Sequence, residues 1–70
     1  MGYSEKLKEL AKKSYNRFIN YIRNQRHLLT DENEDENGDI VVIVTYFEEN
    51  NEDYIGTYIF NEDEELIGWE

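Results

Sequence analysis

Seventy residues allow one domain and one small core, and the absence of Cys removes both disulfide staples and thiolate metal sites. A formal net charge of −10 excludes an ordinary nucleic-acid binder, and no apolar run reaches membrane-spanning length. The first residues, MGYSEKLKEL, lack the apolar stretch of a signal peptide, which points to a cytoplasmic protein.

The charge is divided along the chain. Residues 1–29 hold all seven basic residues against Glu5 and Glu9, a net of +5, whereas residues 30–70 hold fifteen acids and no Lys or Arg, a net of −15. The acidic part is too rich in Ile, Val, Tyr, Phe and Trp to be a disordered tail.

In chain order, residues 4–29 read as one long amphipathic helix. Leu7, Leu10, Ala11, Ser14, Tyr15, Phe18, Tyr21, Ile22, Leu28 and Leu29 fall on one arc at 100° per residue. Ser4 is the expected N-cap, and Arg23, Arg26 and His27 suit the negative C-terminal end. Residues 30–38 read as an acidic loop. Three strand signals follow in residues 39–70: DIVVIVTYFE at 39–48, YIGTYIF at 54–60 and ELIGWE at 65–70, joined by short turns. The expected architecture is α+β, a single N-terminal helix on a three-stranded antiparallel meander (αβββ), forming one domain over 1–70.

Both faces of that sheet are apolar. Ile40, Val42, Val44 and Tyr46 alternate with Val41, Ile43 and Phe47, and Ile55 and Ile59 oppose Tyr54, Tyr58 and Phe60. One helix covers one face, so a homodimer or a bound partner is expected to cover the other.

The stretch DENEDENGD (31–39) invites a calcium reading. With Gly38 at the sixth position of an EF-hand loop, Asn33, Asp35 and Asn37 take the first, third and fifth, and Ile40 takes the apolar eighth. Val44 then stands where a bidentate Glu must close the site, which leaves at most a weak divalent-ion site. The simpler reading is that Asn37-Gly38 supplies turn chemistry. For catalysis the chain offers one histidine, His27, no cysteine and no serine in an elbow-like setting, so the expectation is a non-enzyme with no cofactor and no metal. The basic residues are expected to lay their stems over the core and pair with acids on the sheet rim.

The acids are therefore the candidate site. Asp31, Glu32, Glu34, Asp35, Glu36 and Asp39 lie in the loop, Glu48, Glu49, Glu52 and Asp53 in the first turn, and Glu62, Asp63, Glu64 and Glu65 in the second. Ordinary surfaces mix both signs because crowded like charges destabilise the compact state, so forty-one residues (30–70) without Lys or Arg imply a use for the field. An extended chain rises about 3.3 Å per residue and a nucleic-acid strand carries one phosphate per roughly 3.4 Å, so an acidic run can approximate the charge density of a backbone. Tyr46, Tyr54, Tyr58, Phe60 and Trp69 are the candidates for an apolar interface beside it.

Asn, Ile, Lys and Tyr are common and Ala occurs once, the bias of an AT-rich genome. Small, acidic and cysteine-free, the chain resembles phage-encoded DNA-mimic inhibitors, including anti-CRISPR and anti-restriction proteins. The resemblance covers the whole chain by composition and transfers no site residues. It implies an acidic protein-binding inhibitor that blocks the basic groove of a nucleic-acid-binding protein. The alternatives are an immunity or antitoxin-type protein neutralising a basic toxin, or a plain dimeric structural domain.

Overall fold

The computed structural model describes residues 2–70. It contains two helices, α1 (Tyr3–Lys13) and α2 (Tyr15–Arg23), and four strands, β1 (Leu28–Glu34), β2 (Ile40–Glu48), β3 (Asn51–Phe60) and β4 (Leu66–Trp69). The strands form one antiparallel sheet in the order β1-β2-β3-β4, and the helices pack on one of its faces, α1 against β3 and β4 and α2 against β1. The α+β class holds, but the single long helix and the three-stranded sheet do not.

The helix divides at Ser14. This residue is extended (φ −166°, ψ 128°), yet its N–H still donates to the Leu10 carbonyl at 2.9 Å and closes α1. Its Oγ accepts from the Arg17 N–H at 3.3 Å and opens α2. One extended residue resets the helical phase, which is why Ile19, outside the straight-helix arc, is buried in α2. At the other end, α1 starts at Tyr3 behind Gly2 with no side-chain cap, so Ser4 lies inside the helix and does not cap it.

The second correction concerns Leu28 and Leu29, which belong to a strand. β1 pairs with β2 in unbroken register from Leu28↔Tyr46 to Glu34↔Ile40. The pairing is extended one step by the Phe47 N–H donating to the His27 carbonyl at 2.7 Å, while His27 Nδ1 lies 3.0 Å from the Phe47 carbonyl. Asp, Glu and Asn are poor strand formers, but β propensity is decided largely by neighbours, and β2 offers a row of β-branched residues to pair with. Acids also suit an edge strand, where they discourage further pairing. Most of the expected acidic loop is thus sheet, and the connection to β2 is a tight turn at 35–39.

The core lies between sheet and helices. Leu7, Ala11, Phe18, Ile19, Ile22, Leu28, Val42, Val44, Tyr58 and Phe60 are buried. The Phe18 ring stands 4.9 Å from Tyr58 and 5.3 Å from Phe60, and Tyr15 meets Phe60 edge-on at 4.8 Å. Such aromatic pairs add roughly 0.5–1.5 kcal/mol each beyond their buried area.

A register shift between Val44 and Thr45 places Val44 opposite Gly56 but Thr45 opposite Tyr54, so Ile55 is the extra residue of a bulge. Strict alternation puts Tyr54 with Tyr58 and Phe60, and Ile55 with Ile59. The bulge reverses that parity below Gly56. Ile55 packs towards the core, and Tyr54 turns out beside Thr45.

Candidate interaction surface

The side of the sheet away from the helices carries no covering element among the described residues. Leu29, Asp31 and Asn33 of β1 face it with Val41, Ile43, Thr45 and Phe47 of β2. Thr57 and Ile59 of β3 stand opposite Ile43 and Val41. Leu29 (50%), Tyr54 (57%) and Ile67 (53%) are among the most exposed large apolar residues in the chain. The Tyr54 hydroxyl shares a 2.6 Å hydrogen bond with Thr57 Oγ1, which fixes its ring against the strand.

The five expected interface aromatics do not share one surface. Tyr58 (3% exposed) and Phe60 (0%) belong to the core and have nothing to offer a partner. Tyr46 faces the helices, its ring 5.9 Å from Tyr3 and 5.5 Å from His27, and its hydroxyl donates to Glu48 Oε1 at 3.1 Å. Trp69 is half-exposed beneath Lys8 and Lys12, whose Nζ atoms stand 4.8 and 5.4 Å from its ring. Tyr54 alone lies on the uncovered face. Leu29 is its companion there, a residue that fits a helical arc in the sequence but lies in β1 opposite Thr45.

The acids gather at the two ends of the sheet. Two turns of the same design meet at one end. In the first, Asp35 Oδ1 accepts from the N–H groups of Asn37 and Asp39 at 2.8 and 3.0 Å, and Gly38 takes φ 84°. In the second, Asn61 Oδ1 accepts from Asp63 and Glu65, both at 2.9 Å, and Glu64 takes φ 65°. The turns touch at Gly38, where an added side-chain carbon would lie 3.8 Å from the Glu62 carboxyl carbon and 3.9 Å from Glu34 Oε2. Glu34, Asp35, Glu36, Asp39, Glu62, Asp63, Glu64 and Glu65 thus share one end, and all but Asp39 are exposed. Glu48, Glu49, Glu52 and Asp53 occupy the other end, around the Glu49–Asn50 turn. DENEDENGD is therefore no straight row of charge. Asp31 and Glu32 point to opposite faces of an edge strand, and Asp35–Asp39 folds back. Asn33 is paired in β1 and Ile40 to Val44 in β2, so the first and the last five positions of the EF-hand alignment fall in strands, and no cluster of His, Asp or Glu suited to a metal ion occurs among the described residues.

The expected neutralisation of the acids at the sheet rim is nearly absent. Among the described residues one ion pair forms, Arg23 to Glu32 at 3.9 Å, in an exposed setting where such pairs contribute about 0–1 kcal/mol. Three of the four lysines stand over rings instead, Lys6 over Tyr21 and Lys8 and Lys12 over Trp69.

An open groove of about 470 Å³ runs beside the first acidic end, lined by Tyr15, Glu32, Asn33, Glu34, Gly38, Ile40 and Glu62. The Tyr15 hydroxyl donates to Glu32 Oε1 at 3.0 Å. Withdrawal from water, then that hydrogen bond and the negative fields of Glu32 and Glu64, push Tyr15 up to about 12 against the opposing Arg23. Tyr46 is raised by desolvation and by its bond to Glu48, and Tyr58 chiefly by burial. All three hydroxyls stay neutral near pH 7, so the surface draws its charge from carboxylates alone. Such an arrangement attracts ammonium and guanidinium groups.

No helix among the described residues is long and apolar enough to cross a membrane. No family model matches the chain, and comparison with curated proteins and with solved structures finds no match.

Proposed function

We propose that this chain is a non-enzymatic, cytoplasmic binding protein that occupies the groove of a basic, nucleic-acid-binding protein in place of the polyanion. The observation that carries the reading is the segregation of charge. All seven Lys and Arg lie on α1, α2 and the turn that follows them, while the carboxylates crowd both ends of the sheet with one ion pair among the described residues to offset them. Two carboxylates about 7 Å apart in water repel by roughly 0.6 kcal/mol, so an end holding eight of them is a standing cost that a basic partner would relieve. β2 spans nine residues, or about 27 Å, between the two acidic ends, close to eight steps of a duplex at roughly 3.4 Å each.

The test is affinity capture from a candidate host lysate with the wild type and with a triple variant, Glu36→Lys, Glu62→Lys and Glu64→Lys. These positions leave Asp35 and Asn61 intact to hold the turns. The expected result is a nucleic-acid-binding protein captured by the wild type alone, released by added duplex DNA or RNA, with affinity falling steeply as salt rises. Capture that ignores both nucleic acid and salt would sink the reading. The exposed apolar face favours a second one, an immunity-type protein, and a small basic toxin that added DNA does not displace would select it.

A further inference from the structure

We infer that the uncovered face of the sheet is the docking surface of that same partner, and that the partner presents an apolar centre ringed by Lys and Arg. This rests on the reading above and locates it in the fold.

The face has an apolar middle made by Leu29, Val41, Ile43, Tyr54 and Ile59. Strands of seven, nine, ten and four residues, at about 3.3 Å per residue and about 4.8 Å apart, give a patch of roughly 480 Å². A stable interface needs about 800 Å² from each partner, so the contact must spread from the apolar middle onto its rim. That rim is acidic. Asp31 and Glu52, the latter opposite Phe47, stand on the face itself, and the carboxylate-rich turns close its two ends. No Lys or Arg lies on the strands, since six of the seven belong to the helices on the other side and Arg26 to the turn before β1.

These charges decide the occupant. A second copy docked face to face would bring acid against acid along the whole rim, at −10 against −10. A basic rim would gain at each of those positions, and electrostatic steering would speed its arrival. The apolar middle would supply the affinity that salt does not screen. Tyr54 is suited to anchor it, because its ring is exposed and already held by Thr57.

The test is a titration of the isotope-labelled protein with two synthetic helical peptides, one of Leu and Lys in amphipathic spacing and one with every Leu replaced by Ser. The Leu/Lys peptide should move the amide signals of Val41, Ile43, Thr45, Thr57 and Ile59, whereas the Ser/Lys peptide should move only signals of the acidic turns. The double variant Leu29→Ser with Tyr54→Ser should weaken the Leu/Lys peptide by about tenfold and leave the Ser/Lys titration unchanged. Both positions are at least half exposed, and the spectrum itself reports whether the variant is folded. Equal affinity for the two peptides, or shifts on the helix side, would overturn the inference while sparing the acidic-binder reading. Failure of both peptides at low salt would remove that reading as well. A dimer in sedimentation, dissolved by the same double variant, would give the face to a second copy and overturn the inference.

Discussion

Asp35 and Asn61 hold the same post in two separate turns. Each side-chain oxygen accepts the N–H groups two and four residues ahead, at 2.8 and 3.0 Å for Asp35 and at 2.9 Å twice for Asn61. Backbone bonds repeat the likeness, with Asp35 N–H to the Asp39 carbonyl and Asn61 N–H to the Glu65 carbonyl both at 2.9 Å. The turns differ at the fourth residue, Gly38 in one and Glu64 in the other, both at positive φ.

Glycine accepts that backbone freely, while a residue with a Cβ is held there at a cost of about 1–2 kcal/mol. Glu64→Gly should therefore stabilise the protein by about 0.5–1 kcal/mol, since glycine's greater freedom in the unfolded chain offsets part of the gain. Gly38→Ala should destabilise by about 1 kcal/mol for the same reason. Urea unfolding midpoints should move in opposite directions for the two variants.

Ser14 ends one helix and starts the next, and its Oγ is the only side-chain cap on either helix start. Ser14→Ala should cost about 1 kcal/mol, and Ser14→Asp should be tolerated because a carboxylate also caps. Thermal unfolding followed by far-ultraviolet circular dichroism would register the difference.

Phe18 touches both buried rings of β3. Phe18→Ala should cost about 3–5 kcal/mol. At about 0.05–0.15 kcal/mol per residue a chain of this size has roughly 3.5–10 kcal/mol in total, so the substitution removes at least about a third of it and should lower the unfolding midpoint steeply. Phe18→Leu should remain folded with a lowered midpoint. Near-ultraviolet dichroism of the tyrosines separates these outcomes.

Tyr15 is raised to about 12 in the folded chain, against about 10 when unfolded. The folded state holds the proton more tightly, so this contribution to stability is complete below pH 10 and is lost as pH rises through 12. Tyr15→Phe should lose the bond to Glu32 near neutral pH, at a cost of about 0.5–1.5 kcal/mol or less in this exposed setting. It should also show a shallower decline between pH 10 and 12. Tyr46 and Tyr58, raised as well, leave some decline in the variant. Identical slopes for both proteins would contradict the assignment.

Much of the sheet could be read from the residues. The runs at 39–48, 54–60 and 65–70 became β2, most of β3, and β4, since β-branched and aromatic runs between acidic turns have few other uses. β1 was hidden because its pairing energy comes from β2, a dozen residues away, and its own TDENE argues against a strand. The break at Ser14 was hidden because serine sits on the helical arc and keeps the Leu10 bond while the backbone leaves the helix. At the candidate site, the grouping of acids into turns was legible, but their gathering at the sheet ends required β1. The exchange of Tyr54 for Ile55 depends on one bulged residue, and alternation carries no trace of it.

β2 holds Ile40–Phe47, eight consecutive residues without a charge or a proline and rich in β-formers, the makings of a fibril-forming segment. Its place between β1 and β3 satisfies both of its hydrogen-bonding edges once folding is complete. During synthesis it emerges after β1 but before β3, with one edge still open to another nascent chain. The carboxylates flanking it, Asp35 to Asp39 before and Glu48 to Asp53 after, then act as gatekeepers that make two such chains repel. The acids at the two ends of the finished sheet would thus protect the unfinished chain from its own most adhesive stretch.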